Sequence, residues 1–214
     1  FENWAITYDS AVVTLAYIAS GKIDEAKKVV DFYINAPNAW RLGGIIEAVN
    51  PTNPVLGEDW SVRTGSNLWM GIASFHLYKA TKETKYLGLA EKLADFALSL
   101  QNNDKKDFNF GGICLGPQGG SNVASDQHLD YDLNKPSFYE IFATEHNIDA
   151  YALFNLLYQE TKEAKYKEAR DMILVWLKRV AYNQQEHRFN RGYKHGIDSA
   201  VATDIHSWGI STLG

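Results

Sequence analysis

The chain has 214 residues, 45% of them hydrophobic and 22% charged, which is enough apolar material for a packed core and too much for a disordered segment. A net charge of −5 excludes the basic face with which nucleic-acid binders neutralise phosphates. The lone Cys114 excludes an internal disulfide and a cysteine-based zinc site.

Several other classes fall away on local sequence. The longest uncharged stretch, Thr64 to Tyr78, is too short to span a bilayer. Asn50-Pro51-Thr52 is no glycosylation acceptor, because proline occupies its middle position. The chain begins at Phe1 rather than Met, which fits a processed or truncated N-terminus. Export on a targeting segment outside these residues is compatible with that start, and neither compartment nor oligomeric state is legible.

In chain order, the apolar spacing predicts helices in pairs. Tyr8 to Ser20 carries Val12, Leu15, Ala16 and Ala19 on one face. Gly21 stops it in the left-handed conformation, Asp24 caps the next helix from Glu25 to Ile34, and Pro37 lies just beyond. A helix over Ser66 to Ala80 runs through Thr81-Lys82-Glu83-Thr84-Lys85-Tyr86 into a partner ending near Leu100. Another over Glu145 to Glu160 runs through Thr161-Lys162-Glu163-Ala164-Lys165-Tyr166 into a partner ending near Tyr182. The two turns lie 80 residues apart and constitute an internal repeat. A fourth unit opens at Thr203-Asp204-Ile205-His206, giving three hairpins and one further helix.

First helices carry small residues all round (Ala11, Ala16, Gly71, Ala73, Ala150), whereas second helices carry charged stripes such as Glu91, Lys92 and Asp95. First helices are therefore inner and second helices outer. The long connections Asn35–Gly65, Gln101–Thr144 and Asn183–Ala202 all leave at one end, where a functional site is expected. The fold class that follows is all-α, an (α/α) helical-hairpin toroid of three and a half hairpins, read as a single domain over 1–214.

The segments Arg63-Thr64-Gly65-Ser66-Asn67-Leu68-Trp69, Thr144-Glu145-His146-Asn147-Ile148-Asp149-Ala150-Tyr151 and Thr203-Asp204-Ile205-His206-Ser207-Trp208, with the two lysine-rich turns, resemble the six-hairpin glycosidase-like superfamily of (α/α)6 toroids. Lys82 and Lys162 stand where such turns commonly carry glycine. Set against the six hairpins of a full (α/α)6 barrel, three and a half imply missing residues, an open bundle or completion by a second chain. The resemblance also implies a carbohydrate-active protein whose site lies at the N-terminal ends of the inner helices.

Polar residues recur at those ends: Tyr8-Asp9, Ser66-Asn67, Glu145-His146-Asn147-Asp149 and Asp204-His206. Singly, each reads as a helix cap or first-turn acid. As a set they place carboxyls around one funnel, as glycoside hydrolysis requires. Glu145 is the expected acid, with Asp9 or Asp204 as base or nucleophile. Tyr8, Asn67, His146, Asp149 and His206 are expected to hold sugar hydroxyls, and Trp40, Trp60 and Trp208 to stack on pyranose faces. The partner is then an oligo- or polysaccharide, without cofactor or metal. A non-catalytic glycan-binding or scaffold module is the alternative, and a polysaccharide lyase or sugar epimerase working through Tyr and His is a third. Asp130, Asp132 and Asn134 fit the first positions of a calcium loop, but Lys135-Pro136 replaces its glycine and Ile141 its terminal Glu. GGICLGPQGG lacks the Gly-Lys-Ser/Thr of a phosphate loop.

Overall fold

A computed structural model describes residues 4–52, 57–120 and 138–213; the calcium-loop candidates Asp130, Asp132 and Asn134 lie outside them. Seven α-helices occur among the described residues: α1 (Thr7–Ala19), α2 (Ile23–Asn35), α3 (Thr64–Thr81), α4 (Thr84–Ser99), α5 (Thr144–Thr161), α6 (Ala164–Trp176) and α7 (Thr203–Leu213). A single π-helical turn, Leu177–Ala181, extends α6. Helices α1–α2, α3–α4 and α5–α6 form hairpins, and α1, α3, α5 and α7 pack side by side in an arc. None of these helices is long and apolar enough to cross a membrane.

Burial follows the inner and outer assignment. Most residues of α3 are buried, while α4 buries only one stripe that includes Tyr86, Leu89, Leu93 and Phe96. Gly71 lets α3 and α5 approach, since a Cβ there would lie 2.7 Å from Leu153. At the ends of the arc the apolar flanks stay open, with Val12 and Val13 of α1 about two-fifths exposed and Ile210 of α7 74% exposed.

The two lysine-rich turns are the same object built twice. Lys82 and Lys162 both sit in the left-handed region at φ 63° and 62°. Thr81 and Thr161 donate to carbonyls four residues back at 2.9 Å and accept the N–H of Glu83 and Glu163 at 3.2 Å. Lys85 then reaches Asp31 of α2, and Lys165 reaches Asp95 of α4, each at 2.7 Å. These surface pairs register one outer helix against the preceding one rather than supplying much stability. Gly21 also takes the left-handed turn (φ 74°), but Asp24 lies inside the first turn of α2, which begins at Ile23, instead of capping it.

The long connections fold into short antiparallel pairs, which the all-α expectation did not include. Trp40–Arg41 pairs with Gly44–Ile45, and Gly192–Lys194 lies between Ile141–Ala143 and Ile197–Asp198. Side chains at the inner-helix starts stitch these pairs down. The hydroxyls of Thr7, Thr64 and Thr144 donate to Ile46 O, Cys114 O and Asn190 O, each at 2.7 Å. Their backbone N–H groups bind the next carbonyls, of Glu47, Leu115 and Arg191. Three residues on, Asn67 receives the Ile45 N–H (2.6 Å) and returns an N–H to Ile45 O (2.9 Å), and Asn147 does the same with Ile113 (2.7 and 3.0 Å). Each also bonds the carbonyl four residues before it.

Asn147 is fully buried, so its removal strands a buried N–H and a buried C=O. Asn147→Ala is expected to lower unfolding stability by about 3 kcal/mol in urea titration. A loss below about 1 kcal/mol would show that the connection is held by something else.

Candidate functional site

The helix starts share a phase. Counting the opening threonine as zero, positions one, four, five and eight fall within roughly 100° of helix surface. On α5 these include Glu145 and Asp149; on α7, Asp204, Ser207, Trp208 and Ser211; on α3, Gly65 and Trp69; on α1, Tyr8. All nine line one cavity of about 520 Å3, together with Ile6, Glu47, Arg63, Ser66 and His146.

Of the residues expected from sequence, the structure thus gathers Tyr8, Glu145, His146, Asp149, Asp204 and Trp208. It separates five others. Asp9 is exposed and outside the cavity wall, because position two of α1 points away from the axis. Asn67 is fully buried, with its amide committed to backbone. His206 plays the Asn67 part on α7: it receives the Phe189 N–H at Nε2 (3.2 Å), and its Nδ1 bonds Ala202 O (2.8 Å). Trp40 packs on the core, donates to Tyr33 O (2.9 Å) and lies under Lys92, 3.4 Å from the ring centroid. Trp60 likewise packs against the core, away from the cavity.

Aromatic rings form one side of the cavity. Trp69 and Trp208 lie 5.1 Å apart at 31°, and Tyr8 meets Trp69 edge-on at 5.5 Å. Acids stand beside these rings. Partial burial raises the pKa of Glu145, and the neighbouring Asp204 carboxylate raises it further. Asp149 is 3% exposed, and burial drives its carboxyl well above the ordinary range even though Trp208 Nε1 donates to it at 2.7 Å. That bond ties α7 to α5.

Glu47 was not among the residues expected from sequence. It comes from the first long connection, and its backbone is fixed by bonds to Thr7 and Ser61. One carboxyl oxygen accepts the Ser66 hydroxyl at 2.7 Å, while the other is buried without a hydrogen-bond partner among the described residues. Burial raises its pKa, partly offset by Ser66 and by the Arg63 guanidinium. No periodicity marks a residue in such a connection, and only the direct neighbour of a clamped carbonyl, Ile46, gives a signal in retrospect.

His146 is held neutral. Its Nδ1 accepts the Gly65 N–H at 3.2 Å, so in the neutral ring the proton sits on Nε2, which faces Glu145 Oε1 at 3.5 Å. Gly65 is required for this approach, because a Cβ there would lie 2.5 Å from the imidazole. Burial and the nearby Arg63 charge push the His146 pKa down to about 4.

An arc of helical hairpins whose inner N-termini surround one acidic, aromatic cavity is part of an (α/α)6-toroid fold, here three and a half hairpins among the described residues. No protein-family model and no curated protein matches the chain. Among solved structures it is similar to a D-mannose isomerase, with TM-score 0.70 and 16% identity over 97% of this chain and 55% of that one. A sugar epimerase from a ruminal bacterium gives TM-score 0.69 and 16% identity over 98% and 54%. A family 76 α-mannanase from Bacteroides thetaiotaomicron gives TM-score 0.64 and 18% identity over 96% and 51%. The chain therefore spans about half the length of the structures it matches.

A buried imidazole with a lowered pKa stabilises the fold fully above its unfolded pKa near 6.5, and that stabilisation is lost as pH falls towards about 4. Relative to His146→Gln, the wild type should lose about 3 kcal/mol of stability between pH 7 and pH 4 in paired denaturation curves. Parallel pH profiles for the two proteins would contradict a neutral His146.

Proposed function

We propose that the chain is carbohydrate-active, a glycoside hydrolase that binds an oligo- or polysaccharide in the cavity at the inner-helix starts. The observation that carries this reading is a half-buried carboxyl with a raised pKa, Glu145, set near a second carboxyl, Asp204, in the cavity that the Trp69–Trp208 pair also lines. A sugar ring stacks on the indoles while its glycosidic oxygen meets the protonated Glu145, which gives up its proton as the bond breaks. Asp204 is the partner carboxylate. Direct attack by Asp204 calls for about 5 Å between the two carboxyls when a sugar is bound, and an intervening water for about 6.5–9.5 Å. Arg63, which lowers the pKa of both Glu47 and Glu145, supplies the positive charge in the cavity wall.

A second reading, a sugar isomerase or epimerase, draws on the likeness to the D-mannose isomerase and sugar epimerase structures. That chemistry calls for a free base, and the cavity's histidine is a poor one. His146 already carries its proton on the nitrogen that faces Glu145, and its other nitrogen is occupied by Gly65. This supports carboxylate chemistry over histidine chemistry.

Glu145→Gln is expected to cut glycan hydrolysis by about 10²–10⁴-fold, with the cavity's sugar affinity retained. Asp204→Asn removes the anionic neighbour that helps raise Glu145, so the Glu145 pKa should fall in a carboxyl-resolved NMR or infrared titration. Unchanged hydrolysis in Glu145→Gln would remove Glu145 as the acid. Conversion of a free sugar to its isomer without hydrolysis would establish the second reading instead.

A further inference from the structure

A second cavity, of about 740 Å3, shares the strand-to-helix junction that builds the first. Phe142 lies in its wall, while Glu145 and His146, just beyond on the same chain, lie in the wall of the first. The new cavity is formed mainly by the segment following α4, Gln101 to Asn109, and by Tyr193 of the connection before α7.

That segment is fixed. Asn102 closes its neck through backbone bonds to Gly111 and Gly112, both 2.8 Å. Arg179 of the π-turn donates to Phe108 O at 2.7 Å and Phe110 O at 3.4 Å. Gly111, at φ 88°, passes so close to α6 that a Cβ would lie 2.3 Å from Met172 O. Yet Phe108, held between these anchors, is 50% exposed. Its ring lies 5.3 Å from that of Tyr193 at 37°, so the pair makes an aromatic platform open to solvent. Leaving a large ring wet on a rigid loop forfeits the burial that a small shift could recover, unless a ligand covers it.

The polar groups around the platform select the ligand. Asn102 uses its side-chain oxygen on the Asp104 N–H (3.0 Å), and Asn103 uses its amide nitrogen on Gln101 O (3.2 Å). Among the described residues nothing else engages the Asn102 NH2 or the Asn103 side-chain carbonyl, which leaves both for a ligand, beside the carboxylates of Asp104 and Asp107. No lysine or arginine lines this cavity among the described residues, which disfavours phosphates and acidic chains. Planar rings beside amides and carboxylates suit a neutral polyol, whose C–H face stacks while its hydroxyls both donate and accept.

We propose that Phe108 and Tyr193 form a second carbohydrate subsite, which takes a pyranose unit of the same glycan chain whose reacting end occupies the first cavity. The proposal rests on the carbohydrate reading of that first cavity and makes its substrate a chain rather than a short sugar. The subsite adds affinity only for chains long enough to reach both places.

The test is calorimetric titration of linear manno- and gluco-oligosaccharides of two and six sugars, with Glu145→Gln as parent to stop turnover. For at least one series the six-sugar ligand is expected to bind about tenfold more tightly than the two-sugar one. Adding Phe108→Ala should erase that advantage and leave the two-sugar affinity within about twofold, while Phe108→Tyr should preserve it. Six-sugar binding unchanged by Phe108→Ala overturns the second subsite but leaves the first cavity standing. Equal losses for both lengths also overturn it, since the ring would then act through the fold. Failure of the parent to bind any of these sugars overturns both readings.

Discussion

Long connections at the mouth of a helical bundle bring many backbone N–H and C=O groups out of water, and each needs a partner if the mouth is to hold one shape. The inner helices supply those partners from two positions. The opening threonine holds the connection that follows its hairpin, and the residue three places later holds the connection that precedes its helix. His206 shows that the position demands a donor and an acceptor rather than an amide as such. Glu47 reaches the cavity because Thr7 grips the carbonyls of Ile46 and of Glu47 itself. The same kind of grip at Thr144 fixes Asn190 and Arg191. The cavity wall is thus a product of the clamps.

The clamps also divide labour around each helix. Positions zero and three are spent on backbone, which leaves positions one, four, five and eight for the axis. Where position one is Gly65, the imidazole of His146 moves into the space a side chain would fill. Where it is Glu145 or Asp204, a carboxyl enters the cavity. Burial opposes ionisation of Asp149 despite its indole donor, and burial and then the Asp204 carboxylate oppose that of Glu145. Burial that opposes ionisation of Glu47, Glu145 and Asp149 lessens the repulsion created by concentrating acids there.

The hairpins, the repeat, and the inner and outer roles were legible in the sequence, because they rest on composition and spacing over many residues. Which helix-start residues face the axis was not. Placing the helix starts at Tyr8, Ser66 and Glu145 instead of Thr7, Thr64 and Thr144 is a small error in sequence. Each residue of it turns the face by 100°. That rotation is enough to send Asp9 outward and to make Asn67 look like a ligand contact. Trp40 and Trp60 misled for a related reason. A tryptophan in a connection reads as a free platform until the connection itself folds against the core. Glu47 carried no pattern at all, since its placement depends on a contact with a helix about forty residues earlier.

Asp149 joins the architecture to the proposed chemistry. α7 has no outer partner among the described residues, and it docks through α5 with its Trp208 bonded to Asp149. An ionised Asp149 would strengthen that bond but would set a second negative charge near Glu145, at the price of desolvating it fully. Burial decides the matter in favour of a carboxyl that ionises reluctantly. The indole is then held mainly by packing on Trp69 and by one hydrogen bond. Glu145, raised first by burial, is raised further by Asp204, the acid on the same face of α7 one turn before Trp208. The seating of α7 and the protonation of Glu145 are therefore coupled, because the helix that completes the aromatic wall also brings a carboxyl that tunes the acid.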